Sequence, residues 1–304
     1  MDIMKKINRD FVIKQSYERL FSYIINYPFV RNISFIAIDS EIDNNMSKLD
    51  MPKKIKNFFI TSKSKNIKLK SMLIKKITKR IIKKVENTDI IVSIFINDND
   101  NSNTIKEIIN ILIALFNAQR DNIKLINIKC DNDNYYNYIM NSIIALQFQT
   151  KREQYEYIYD ITCDELDKHF EKEDFCDFQN DRCIANRNKM SSKDIMGCCY
   201  SFTYNVLGDI KNKKICKFLK GKKCTTKCMA CKLYTCKYLR SKGITFKAKD
   251  NVLLSSFFNK KQLRVLSCNY FISKEEIIEK LLEKNYMPYI IYYIMCKEYI
   301  TVKQ

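Results

Sequence analysis

The sequence predicts an α/β fold followed by a cysteine-rich metal-binding region, on three observations. Over the first 150 residues, short β-branched apolar runs alternate with helix-length amphipathic stretches, the order expected of a three-layer, mostly parallel sheet. Nine of the 13 cysteines fall between Cys176 and Cys236. All 4 glycines (Gly197, Gly208, Gly221 and Gly243) lie in that same second half. An α/β domain is therefore expected over residues 1–150. A cysteine-cluster region, largely helical or irregular, is expected over 151–304, with its core at 176–236 and helices at its end.

With 304 residues, 46% hydrophobic and 29% charged, the chain can bury a sizeable core. Only 4 Gly and 3 Pro exclude a collagen-like or disordered composition. The longest apolar runs, Ile90–Ile96 and Ile108–Ala118, fall short of the roughly 18–20 residues a transmembrane helix needs. The opening MDIMKKINRDF has no apolar stretch of signal-peptide length, so a cytoplasmic location is expected. In a reducing compartment, clustered cysteines point to metal ligation rather than disulfides. A net charge of +20 attracts polyanions, nucleic acid or an acidic protein partner. A Lys/Ile/Asn-rich composition produces the same excess without any such role.

Element by element, Asp10–Ile25 has helical apolar spacing, with Pro28 just beyond it. Ile33–Ile38 is a β-prone run. Lys68–Val85 reads as a basic amphipathic helix whose stripe is Leu69, Leu73, Ile77, Ile81 and Val85. Its polar side carries Lys75, Lys76, Lys79, Arg80, Lys83 and Lys84, a layout suited to phosphate backbones or anionic lipid headgroups. The same pattern is also that of a plain surface helix covering a sheet. Ile90–Ile96 is the run expected of a buried parallel strand. Thr104-Ile-Lys-Glu107 reads as a capping box opening a helix to about Ala118. A strand at Ile123–Ile128 and a helix over Tyr136–Leu146 follow. The turn NDNDNSN after Ile96 lacks the Gly and Glu of a calcium loop, and Asx turn chemistry accounts for it.

Between Glu153 and Asp181 lie eleven acidic residues and the single histidine, His169. The stretch reads as a solvated helix face, or as the complement of the basic region after it. The nine clustered cysteines are Cys176, Cys183, Cys198, Cys199, Cys216, Cys224, Cys228, Cys231 and Cys236. Structural zinc prefers two short pairs, and only Cys228-x2-Cys231 has that spacing. Cys224-x3-Cys228-x2-Cys231 can wrap three corners of a [4Fe–4S] cluster, with Cys236, Cys216 or the Cys198/Cys199 pair as fourth ligand. An iron–sulfur cluster is thus the leading expectation and zinc the alternative. Between Lys211 and Lys249 there are fourteen Lys/Arg and no acid, which lowers thiol pKa values and offsets the charge of a thiolate cluster. That basic surface also offers a docking site for nucleic acid or an acidic protein.

The spacing Cys224-x3-Cys228-x2-Cys231 resembles the radical-SAM signature, which would imply a [4Fe–4S] cluster that binds S-adenosylmethionine. Ala230 stands where those enzymes usually have an aromatic residue, and 73 residues follow Cys231 where most of a barrel would be needed. Cys198-Cys199, Cys216-Lys-Phe-Leu-Lys-Gly-Lys-Lys-Cys224 and Cys231-Lys-Leu-Tyr234 together resemble the YkgJ-type cysteine-cluster family over about forty residues. That resemblance implies zinc or iron chelation. The C-terminal half is also similar to uncharacterised cysteine-rich proteins of low-GC bacteria. No Ser/His/Asp set can be assembled around one histidine, and Gly221-Lys222-Lys223 lacks the first glycine of a phosphate loop. Tyr286, Tyr289, Tyr292 and Tyr293 are expected in core or interface, and Ser273-Lys-Glu-Glu276 is a capping box opening a helix through Leu282.

Overall fold

The computed structural model describes residues 12–13, 33–39, 55–60, 67–96, 100–176, 178–179, 182–183, 200–204, 210–215, 218–221, 223–270 and 272–283. The chain divides into two compact units, Met1–Phe148 and Gln149–Gln304.

The first unit is built on a sheet of five strands: β1 (Val12–Ile13), β2 (Ile33–Asp39), β3 (Ile55–Ile60), β4 (Asp89–Ile96) and β5 (Ile123–Cys130). Their spatial order is β1-β5-β4-β2-β3, and every pairing is parallel. Parallel neighbours need long crossovers, supplied by α1 (Ile67–Lys84) between β3 and β4 and α2 (Ser102–Gln119) between β4 and β5. Both crossovers step the same way along the sheet, so a common handedness puts both helices on one face. There α1 packs on α2, and α2 on α3 (Asp133–Gln147).

Every residue of β4 after Asp89 is buried. Successive side chains point to opposite faces, so both faces of the sheet are covered, which explains a strand of unbroken apolar residues rather than an alternating one. The polar exception, Ser93, is met by its register partner: Asn127 Nδ2 donates to Ser93 Oγ at 3.1 Å. That rung fixes the β4–β5 register, because a slip would leave both groups buried and unmatched.

Three sequence expectations are corrected. The helix expected from Asp10 does not begin there, since Val12–Ile13 pair with Ile126–Asn127 of β5 as a strand; residues 14–32 lie outside those described. Helix α2 is capped by Asn101 rather than Thr104, its Oδ1 accepting from the backbone N–H of Asn103 (3.0 Å) and Thr104 (3.2 Å). Asn132 caps α3 the same way. An asparagine cap contributes about 1 kcal/mol, and Asx turns of this kind are what the Asn-rich loops are for. Finally, the buried stripe of α1 is Ile74, Thr78 and Ile81, continued by Val85 just past the helix end, whereas Leu73 is 40% exposed. Residues spaced by four drift about 40° per step around a helix, so five of them cannot share one face; alternating steps of four and three hold it. β3 gave no periodic signal in its sequence, IKNFFI, and was not anticipated.

The second unit is organised on α4 (Lys151–Glu173), 23 residues opened by a capping box between Thr150 and Glu153 and closed by Asp174 in the left-handed region (φ 41°). Its buried face is Gln154, Ile158, Tyr159, Thr162, Cys163 and Leu166. Three short antiparallel pairs follow: β6 (Phe178–Gln179) with β7 (Arg182–Cys183), β8 (Tyr200–Tyr204) with β9 (Ile210–Ile215), and β10 (Leu219–Lys220) with β11 (Lys223–Cys224). Gly221, at φ 58°, follows β10 at the turn of the last hairpin, and Lys223 belongs to β11. Then come α5 (Met229–Leu233), α6 (Lys237–Ser241), α7 (Val252–Phe257), α8 (Lys260–Cys268) and α9 (Lys274–Leu282). Helices α5, α7 and α9 pack on α4, and α8 packs on α5 and α9. The capping box at Ser273 and Glu276 forms as expected, while Tyr286–Tyr293 lies outside the described residues.

The corrected face of α1 has a direct consequence. Ile74→Ala deletes a side chain that is 7% exposed and is expected to cost about 2–4 kcal/mol, whereas Leu73→Ala is expected to stay within about 0.5 kcal/mol. Paired urea titrations of the two variants measure the difference. Equal losses would mean that the helix faces the other way.

Candidate cysteine cluster

Cys228, Cys231 and Cys236 sit in one segment held against α4 by polar contacts. Tyr159, 1% exposed, donates its phenol proton to the Lys227 carbonyl (2.7 Å) and accepts from the Met229 N–H (2.9 Å). Burial pushes its pKa up, and the thiols of Cys163, Cys228 and Cys231 near it act in the same direction. Cys228 precedes α5, its N–H donating to Thr226 Oγ1 (3.1 Å) and its Sγ to the Asn269 carbonyl (3.2 Å). Cys163, one α4 turn after Tyr159, aims its thiol at the same Lys227 carbonyl at 3.6 Å.

Charge locks the segment in place. Asp160, Asp164 and Asp167 follow a spacing of four and three, so they line one face of α4. They pair with Lys274 (2.6 Å), Lys227 (2.7 Å from Asp164) and the buried Lys232, which meets Asp167. Within the acidic stretch, Asp164 and Asp167 thus complement the basic region after it, and Lys227 and Lys232 are committed to that role. His169 is exposed and edges onto Phe175 and Phe246, which stack with Phe170 as an aromatic cluster rather than a general-base site.

Of the nine candidate ligands, Cys228 and Cys236 are buried, Cys176 and Cys231 half-buried, and Cys224 exposed beside the β10–β11 turn. Cys183 lies in β7; Cys198, Cys199 and Cys216 are outside the described residues. Among the described residues, no three His, Cys, Asp or Glu side chains converge into a group that would hold a metal ion. The trio Cys224, Cys228 and Cys231 is thus not gathered at one point, and described cysteines alone supply no complete site. Cys163, outside the candidate cluster, joins the surroundings of Tyr159, and its helical offset of four from that tyrosine is the signal the sequence carries for it. Burial pushes its thiol up to about 12 even though Lys232 and Lys227 oppose the shift, so it stays protonated at neutral pH. The two lysines do act to lower the thiol, but at this buried position desolvation outweighs them.

The six basic residues named on the Lys68–Val85 helix are all exposed: Lys75, Lys76, Lys79, Arg80, Lys83 and Lys84. None makes an ion pair with a described residue. No described helix is long and apolar enough to cross a membrane. Compared with family models, curated proteins and solved structures, the chain matches none.

Two predictions follow from α4. Asp167→Asn leaves the Lys232 ammonium, whose side chain is 3% exposed, without its carboxylate, at a cost of about 2 kcal/mol in urea unfolding; Asp164→Asn, which loosens an exposed pair, should barely change it. Equal effects would mean that Lys232 is solvated. The second concerns Glu165, whose carboxyl is pushed by burial from 4.5 up to about 7, with Lys168 opposing. A carboxyl raised in the folded state favours folding fully below about 4.5, and that contribution is lost as pH climbs through about 7. Glu165→Gln is therefore expected to match the parent near pH 4 and exceed it at pH 8 by on the order of 2 kcal/mol, each tenfold change in ionisation constant being about 1.4 kcal/mol. A stability difference that does not vary with pH would contradict the burial.

Proposed function

We propose that this protein binds a metal through its cysteine-rich segment, as an iron–sulfur cluster in the first instance and as structural zinc in the second. The observation that carries the reading is the density of thiols: nine between Cys176 and Cys236, set among fourteen Lys/Arg between Lys211 and Lys249. Since the described cysteines do not form a group by themselves, the ligand set draws on Cys183, Cys198, Cys199 or Cys216 together with Cys224 and Cys231. The partial likeness to YkgJ-type chelating proteins rests on those same positions, Cys198-Cys199, Cys216, Cys224 and Cys231. Cys228 is a weaker candidate, because its sulfur donates to the Asn269 carbonyl and would have to give up that contact as a thiolate. A radical-SAM reaction gains no support from the separated Cys224, Cys228 and Cys231.

Metal analysis and a visible spectrum of protein purified without oxygen test this reading. About four iron and four sulfide per chain, with a broad visible band bleached by dithionite, are expected for the cluster. A colourless protein with one or two zinc ions would select the alternative. Protein free of both metals after purification and reconstitution would overturn the proposal. The double variant Cys198→Ser/Cys199→Ser is expected to lose the metal, and Cys163→Ser to keep it.

A further inference from the structure

We infer that the outward face of α1 docks on an anionic lipid bilayer. Between Asp50 and Glu86 the sequence has thirteen Lys/Arg and no acidic residue, and α1 is the described helix in that stretch. On it and just past its end, Ile74, Thr78, Ile81 and Val85 are spent on the core, which turns Lys75, Lys76, Lys79, Arg80, Lys83 and Lys84 to solvent. None of the six is neutralised by a described carboxylate, in contrast to Lys227, Lys232 and Lys274 of the second unit.

Charge alone fits any polyanion; two neighbouring side chains decide between them. Met72 and Leu73, 69% and 40% exposed, are the large hydrophobics left exposed among the described residues, and both are on this helix. At 100° per residue, Met72 falls on the line of Lys76, Lys79 and Lys83, and Leu73 beside Arg80 and Lys84. Apolar side chains in register with a row of cations match a bilayer interface, where methylenes enter the acyl boundary while ammonium groups stay among phosphates. A nucleic-acid backbone gives Met72 and Leu73 nothing to bury against. The helix is held rigidly by its sheet, so the row is preformed and binding orders few side chains.

The test is flotation of the full-length protein with phosphatidylcholine vesicles that contain or lack phosphatidylserine, beside a duplex DNA and a single-stranded RNA of mixed sequence. Binding to the serine-lipid vesicles alone is expected, weakening steeply with salt. Lys76→Glu/Lys79→Glu/Lys83→Glu should reduce it at least a hundredfold, since each charge near such a surface is worth about fivefold. Met72→Ser/Leu73→Ser, which keeps every charge, should reduce it about tenfold. These positions are exposed, so far-UV circular dichroism should be unchanged in both variants. Tighter binding to DNA or RNA than to vesicles would overturn the inference, as would vesicle binding indifferent to the serine double variant, or no binding at all.

Discussion

A buried ammonium must have a carboxylate, and the C-terminal unit is arranged around that requirement. Lys232 lies in the middle of the cysteine-bearing segment and is 6% exposed. Only Asp167 on α4 reaches it among the described ion pairs, so the segment has one seat that does not strand a charge. Tyr159 makes that seat specific, because its phenol satisfies a carbonyl on one side of Cys228 and an N–H on the other. The position of Cys228 thus follows from protein contacts alone.

In the first unit the corresponding constraint is a sheet covered on both faces and built without glycine. Crossover folds commonly spend glycine where a strand turns into a helix and a phosphate approaches the backbone. Here the turn into α2 is made by Asn101, whose side chain occupies the N–H groups that an anion would otherwise meet. Asn132 does the same before α3. The cap that stabilises each helix thus also occupies two of the N–H groups of its first turn.

What was legible in the sequence follows from how strong each local signal is. The apolar, mostly β-branched run Ile90–Ile96, interrupted only by Ser93, left little choice but a doubly covered parallel strand, whereas β5 interleaves Lys124, Asn127 and Lys129 with its apolar residues. IKNFFI carried neither alternation nor an apolar run long enough to separate strand from helix, and its place at the sheet edge comes from pairing with β2. The cap of α2 was misplaced because Thr-x-x-Glu and Asn-x-x-Thr overlap, and only the extended φ/ψ at Asn101 decides between them. The stripe expected on α1 is right at Ile81 and Val85 and displaced by one residue at Leu73 and Ile77, where Ile74 and Thr78 are buried instead, since isoleucines and leucines lie all round the helix and composition alone fixes no face. The cysteine count was plain to read, but convergence depends on tertiary contacts: a three-residue spacing cannot reveal that Cys228 turns toward Asn269 while Cys224 ends an exposed hairpin.

The two units treat positive charge in opposite ways, and this difference locates function more sharply than the net charge does. In the second unit the lysines nearest the cysteines face a row of aspartates spaced along one helix, so their charge serves the fold. Of the fourteen Lys/Arg between Lys211 and Lys249, Lys227 and Lys232 are committed in this way. In the first unit the cations of α1 face solvent, and no acidic residue lies between Asp50 and Glu86. Six like charges within three turns repel one another, and the helix forms because Ile74, Ile81 and Val85 are buried beneath it. That repulsion costs stability and brings the isolated chain nothing in return. On the inferred anionic bilayer that repulsion would be relieved, so the same feature that opposes folding of the free protein would favour docking.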